Sequence, residues 1–289
     1  MRWHRPRPEI GAATAPRVAF VLSGGGSLGA MQTGQLIALF EAGITPDLVI
    51  GVSAGALNGA AIAHRPTLDT AEQLATIWRG LRRGYIFRGS RHERAWHVLR
   101  HHPHLYRSDG LIDLVTRFLP CSDLAQLSIA FEAGTVNIDD ARIDFHRTGD
   151  PRTVLVASAS LPGVFRPVVI DGRRHVDGGI AVNLPIQRAR DLGADLIFAF
   201  DCRAGTRHRL PEAMSALGVL TSSIAVAREI LTPSQDHPSV IRLPAPDTYG
   251  IGMYDFSHGQ RLISEGHRLV TEFLEAHPEL TAMRRFSAA

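Results

Sequence analysis

The chain is poor in cysteine, with 2 in 289 residues, Cys121 and Cys202. Two distant cysteines make no disulfide framework, and they suit a reducing compartment, so a cytoplasmic setting is expected. There is no run of 18 apolar residues, which argues against a membrane span. The charge excess is small: 31 basic against 28 acidic side chains, a formal +3. That is too little to argue for a nucleic-acid partner. The opening "MRWHRPRPEIGAATAPR" is charged but has no apolar stretch, so it does not read as a secretory signal. Internal repeats and long low-complexity linkers are also missing.

What is present is ordinary for a globular protein: 45% hydrophobic and 20% charged residues. The length allows one large α/β domain or two small ones. Residues 1–14 and 281–289 read as loose ends around a single domain at 15–280. "RVAFVLS", "DLVIG" and "LGADLIFAFD" are short apolar runs that read as buried parallel strands. Residues 28–42 read as a helix stopped by Gly43, and "AGALNGAAIAH" as a helix packed through small residues. Leu74, Ile77, Trp78 and Leu81 share one helix face, as do Leu111, Leu114, Val115 and Phe118. Both stripes read as core faces. "LSIAFEAGTVNIDDARIDFHRTG" reads as antiparallel strands, Asp150-Pro151 as a helix start, and "VVIDGRRHV" as a hairpin around Asp171-Gly172. Two further helices are expected at about 211–230 and 257–276. Alternation of this kind implies an α/β fold with a mainly parallel central sheet covered by helices on both faces.

Two motifs carry chemistry. "GVSAG" is G-x-S-x-G, with Ser53 between Gly51 and Gly55. A strand must turn abruptly into a helix there, which lifts the serine to the tip of a strained turn at a helix N-terminus. The glycines remove Cβ atoms that would collide in the turn. The second motif is "SGGGSLG". Gly24, Gly25, Gly26 and Gly29 fit the dinucleotide fingerprint G-x-G-x-x-G, and equally a loop of bare N–H groups around an oxyanion.

A serine nucleophile needs a base. The chain has 14 histidines, and His258 and His267 lie late enough to complete a triad in the α/β-hydrolase order, though on an amphipathic helix. "HVDGGIAVNLP" offers Asp177 instead, at the end of an apolar strand and before two glycines. The run His97, His101, His102, His104 has one i, i+4 pair, broken by Pro103 and without an acidic partner. No metal or other cofactor is expected. The stretch from Arg91 to Arg107, with Trp96 and Tyr106, suits an anionic membrane surface or a solvated loop near the site.

Together these segments resemble the patatin-like phospholipase family. "SGGGSLGAMQTG", "GVSAGALNG", "ASASLPGVFRP" and "DGGIAVNLP" follow one another in the family's order over about 160 residues, and "YDFSHGQRLISEG" is similar to bacterial members. The resemblance implies a three-layer patatin-like fold and a Ser–Asp dyad without histidine. Ser53 is then the nucleophile, Asp177 the general base, and the N–H groups of Gly24, Gly25 and Gly26 the oxyanion hole. It implies a lipid ester substrate; the basic stretch suits contact with a membrane or micelle surface, and its place between the Ser53 helix and the later strands suits a helical cap at about 66–120. Plant patatins carry Arg where this chain has Leu28, so no cationic side chain assists the loop. The second strand ends in Gly51-Val52-Ser53 and not in an acidic residue, against the dinucleotide reading. A His-assisted esterase, or a lipid-binding protein without turnover, are the competing expectations.

Overall fold

The computed structural model describes residues 16–90, 92, 99–100, 104–205, 216–231 and 237–285. The expected loose end at 1–14, residues 286–289 of the one expected at 281–289, and most of the basic stretch after Arg91 lie outside these residues; residues 281–285 are instead the last turns of a helix.

Three strands with no exposed residue form the centre of the sheet: β1 (Val18–Leu22), β2 (Leu48–Val52) and β7 (Leu196–Phe200). β1 lies between the other two, parallel to both. Strands covered on both faces have no reason to alternate polar and apolar residues, which is why all three read as continuous apolar runs. β3 (Ala130–Asn137) adds in parallel to β2, and β8 (Val240–Arg242) to β7. β4 (Arg142–His146), β5 (Val168–Ile170) and β6 (Arg173–Asp177) are antiparallel additions, so the sheet has eight strands. The Asp171-Gly172 turn joins β5 to β6 with φ of 50° and 76°, the left-handed pair that a two-residue hairpin favours.

Successive side chains send the core to both faces. One face carries Phe20, Phe198 and Phe200 beneath α1 (Ala30–Glu41), α2 (Ala54–His64), α3 (Leu68–Gly80) and α9 (Gly259–Ala276). The other carries Val21, Ile50 and Ala199 under the short α7 (Ile186–Asp191). The layers are therefore unequal. α1 ends as expected at Gly43 (φ 75°): the Gly43 and Ile44 N–H groups return to the carbonyls of Phe40 and Leu39. The remaining helices are α4 (Arg83–Ile86), α5 (Asp109–Phe118), α6 (Pro151–Ser158), α8 (Ala216–Leu231) and α10 (Pro278–Arg285). α6 starts at the expected cap, with Asp150 accepting from the Arg152 N–H and Pro151 at the first position. The helix expected from 211 is described from Ala216 onward. No helix among the described residues is long and apolar enough to cross a membrane.

β3 positions the site. β2 pairs with its residues 130–134 and β6 with residues 135–137, while β4 overlaps both along 133–137. A strand has two edges, so β2 and β6 share the edge opposite β4. β2 runs parallel to β3 and β6 antiparallel, so they approach from opposite directions. Val52 ends opposite Gly134 and Asp177 opposite the next residue, Thr135.

Candidate active site

The Ser53 turn is tight enough to fix its own sequence. Ser53 caps α2 at φ 56° and ψ −125°. That geometry costs a non-glycine residue about 1–3 kcal/mol and persists only where the surroundings hold it. They do: the Ser53 carbonyl accepts the Ala56 and Leu57 N–H groups, and its own N–H donates to Ser158 Oγ at 2.9 Å. Ser158 Oγ in turn donates to the Gly134 carbonyl at 2.8 Å. A Cβ on Gly51 would lie 2.4 Å from the Gly55 carbonyl oxygen, and one on Gly55 2.4 Å from that of Leu22. Both glycines are required by close approach.

Asp177 arrives at this turn on β6. Its N–H donates to the Ser160 carbonyl at 2.9 Å, so the segment closing α6 grips both residues. Asp177 is 3% exposed. Its carboxylate accepts the Gly179 N–H at 2.7 Å and has the Ser53 side chain as a close polar neighbour. Burial pushes the Asp177 carboxyl up to about 6. The Ser53 side chain, the Gly179 N–H and the charge of Arg228 pull the other way. The Arg228 guanidinium is held over this turn by a hydrogen bond to the Gly179 carbonyl.

The glycine loop lies against the same turn. A Cβ on Gly24 would sit 3.0 Å from Ser53 Cβ. Gly24 and Asn183 exchange hydrogen bonds: the Gly24 N–H donates to the Asn183 carbonyl at 3.3 Å, and Asn183 Nδ2 donates to the Gly24 carbonyl at 3.1 Å. Gly26 has φ 58°, and a Cβ there would meet the Met253 carbonyl oxygen at 2.3 Å. That carbonyl accepts the Ser27 N–H at 2.8 Å. The N–H groups of Gly25 and Gly26 find no acceptor among the described residues. Beneath Gly25 lies Cys202, a thiol that burial pushes up to about 12, which makes it inert packing.

Gly26, Ser53 and Asp177 open into one cavity of about 70 Å³. Its walls are apolar: Leu57, Trp78, Leu81, Ile86, Phe87, Leu111, Leu114 and Phe165 among others. The two helix stripes that read as core faces are buried but for the half-buried Ile77 and Phe118, and their Trp78, Leu81, Leu111 and Leu114 also line this cavity. Phe87 joins the parts, with ring centroids 5.3 Å from Tyr106, 5.3 Å from Tyr254 and 5.4 Å from Phe165. No histidine among the described residues lines the cavity. His258 faces Asp255 at 3.4 Å, and His267 bonds Glu41 at 2.7 Å. Of the histidine run, His97, His101 and His102 lie outside the described residues.

Sequence reasoning missed Ser158, Asn183 and Tyr254 as site residues. Each stands inside a motif segment already singled out, but nothing in the spacing says which backbone groups they meet.

The profile of the patatin-like phospholipase family matches residues 20–190. The chain is 31% identical over 197 residues to lysophospholipase NTE1 of Coccidioides immitis (strain RS), a match covering 65% of this chain and 12% of that protein. It is 32% identical over 195 residues to lysophospholipase nte1 of Aspergillus terreus (strain NIH 2624 / FGSC A1156), covering 64% and 12%. The match thus spans about an eighth of the length of these relatives. Among solved structures, VipD from Legionella pneumophila superposes with a TM-score of 0.46 at 13% identity, over 92% of this chain and 68% of VipD. That likeness is too loose to carry residue roles.

Proposed function

The chain belongs to the patatin-like phospholipase family, and on that premise we propose that it is a serine acyl hydrolase that cleaves carboxylic esters of lipids. The observation that carries this is the end-to-end meeting of β2 and β6 on one edge of β3, which brings Ser53 and Asp177 to the lining of one cavity. Asp177 takes the Ser53 proton as Oγ attacks the ester carbonyl. The oxyanion is held by the N–H groups of Gly25 and Gly26. Gly24 already donates to Asn183 and serves by holding the loop beside Ser53. Each such donor is worth about 3–4 kcal/mol in a comparable hydrolase. Collapse expels the alcohol, which leaves with the proton from Asp177. A water then gives its proton to Asp177 and attacks the acyl-Ser53 ester, which releases the fatty acid and restores the hydroxyl.

A carboxyl near 4 is a weak base at neutral pH, and one near 6 is far better matched to the task. Burial therefore supplies what a histidine supplies in a triad. The acyl chain occupies the apolar cavity under α3, α4 and α5, which act as the cap at 66–120. The lipid surface is met by α8, whose Val219, Leu220, Ile230 and Leu231 are exposed while Arg228 reaches back to Gly179 beside Asp177. The test is release of fatty acid from a lysophospholipid by the wild-type protein and by Ser53→Ala. Release by the first alone supports the reading, and equal release by both refutes it. Vesicle co-sedimentation that weakens in Leu220→Ser/Leu231→Ser supports α8 as the contact.

A further inference from the structure

The cavity at Ser53 has a neighbour. Beside it lies an open groove of about 720 Å³. The two share Tyr254 and Phe256 as a common wall. Their chemistry differs sharply. The groove is lined by Arg79, Arg82 and Arg83, at the end of α3 and the start of α4. Arg82 is held by the carbonyls of Arg79 and Leu81 at 2.8 and 2.9 Å, and Arg79 Nε donates to Gln260 at 2.8 Å. None of the three meets a carboxylate among the described residues. Most other arginines of the core domain do, such as Arg88 with Asp113 and Arg188 with Glu132. Asp255 is the one acid among the described residues of the groove wall, and it is turned to the Ser257 N–H and hydroxyl and to His258. Three guanidinium groups over one carboxylate leave the groove cationic.

A second observation points to a ligand at the junction. Tyr254 Oη is buried with no hydrogen-bond partner. An unpaired hydroxyl of this kind costs about 1–3 kcal/mol unless a bound molecule satisfies it. Tyr254 lines both compartments, with Asp177 in the lining of one and Arg83 in that of the other.

We propose that this arginine groove is a phosphate-recognising subsite, which takes the anionic head group of the lipid whose ester lies at Ser53, with Tyr254 donating to the glycerol-phosphate link. The proposal rests on the acyl-hydrolase reading. With the carbonyl at Ser53 and the acyl chain in the apolar cavity, the groove across the shared Tyr254 and Phe256 wall is the cationic compartment next to the polar remainder of the substrate. Guanidinium forks match phosphate oxygens in pairs, and the chain has no lysine to do this work otherwise. A neutral acylglycerol gains nothing there.

The test uses Ser53→Ala protein and ligands without an ester, so binding is read apart from turnover. Calorimetry compares monomeric 1-O-octylglycerol 3-phosphate, 1-O-octylglycerol and inorganic phosphate. The phosphate-bearing ether is expected to bind about tenfold or more tighter than octylglycerol, and inorganic phosphate more weakly than either. That advantage should largely vanish in Arg79→Gln/Arg83→Gln and shrink in the unsubstituted groove as salt is raised. Equal affinity for the two ethers overturns the proposal, as does an advantage that survives both substitutions. Inorganic phosphate binding as tightly as the phosphate-bearing ether also overturns it, by marking a free-anion site. Should the double variant not fold, the salt series on the intact groove decides alone. Loss of the hydrolase reading shows separately, as failure of the wild-type protein to release fatty acid.

Discussion

Asp177 is predicted to lower the stability of the protein it serves. A carboxyl carried from the ordinary 3.8 to about 6 by burial disfavours its charged form by about 3 kcal/mol. Above pH 6 the group is ionised in both the folded and unfolded chain, and the folded state bears the whole cost. As pH falls from 6 toward 4 the folded protein takes up the proton before the unfolded chain does, and the cost disappears. Asp177→Asn removes the charge but keeps the shape. Its Oδ1 can still accept the Gly179 N–H, and its amide can donate to Ser53 Oγ. The attraction to Arg228 is lost, which trims the gain. The expected result in urea unfolding is an Asn variant more stable by about 2–3 kcal/mol at pH 8, with the gap closing below pH 6 and absent near pH 4. The variant is also expected to be inactive, since an amide cannot take a proton. A variant less stable than wild type at pH 8, or a gap that does not move with pH, would refute the reasoning.

Further outcomes follow from the same geometry. If Asp177 is the base as proposed, the pH profile of kcat/KM should show an acid limb near pH 6, falling about tenfold per pH unit below it, because only an ionised carboxylate can take the proton. Ser158→Ala leaves the Ser53 N–H and the Gly134 carbonyl unpaired in a buried site. It should cost about 2–4 kcal/mol in urea unfolding and slow acylation of Ser53 more than an equally destabilising change elsewhere. Gly26→Ala puts a Cβ 2.3 Å from the Met253 carbonyl at a φ of 58°. It should lower the melting temperature and cut acylation at least about a hundredfold, by moving oxyanion donors.

Much of this site was legible because backbone geometry constrained the residue types locally. Gly51, Ser53 and Gly55 follow from a strand-to-helix turn with no room for Cβ atoms, and Gly43 and Asp171-Gly172 from left-handed turns. β1, β2 and β7 announced themselves by continuous burial. The role of β3 was not legible. Its residues read as part of antiparallel pairs, which β3 and β4 do form, but its first half joins β2 in parallel, and pairing partners are not written in a single strand. The Ser53–Asp177 meeting depends on that shared edge, across 124 residues of sequence, so only resemblance brought the two together beforehand. Trp78, Leu81, Leu111 and Leu114 carried the periodicity of a core, and a cavity wall has the same periodicity. Ser158 and Asn183 act on backbone groups far along the chain, which leaves no mark in spacing.

The most direct test of the dyad is labelling with a fluorophosphonate probe, read by intact mass, on wild type, Ser53→Ala and Asp177→Asn. Single labelling of wild type at Ser53, abolished in Ser53→Ala and strongly slowed in Asp177→Asn, is the predicted result. Labelling of Asp177→Asn at the wild-type rate, with slowing in His258→Ala or His267→Ala instead, would contradict the dyad and return a histidine to the mechanism.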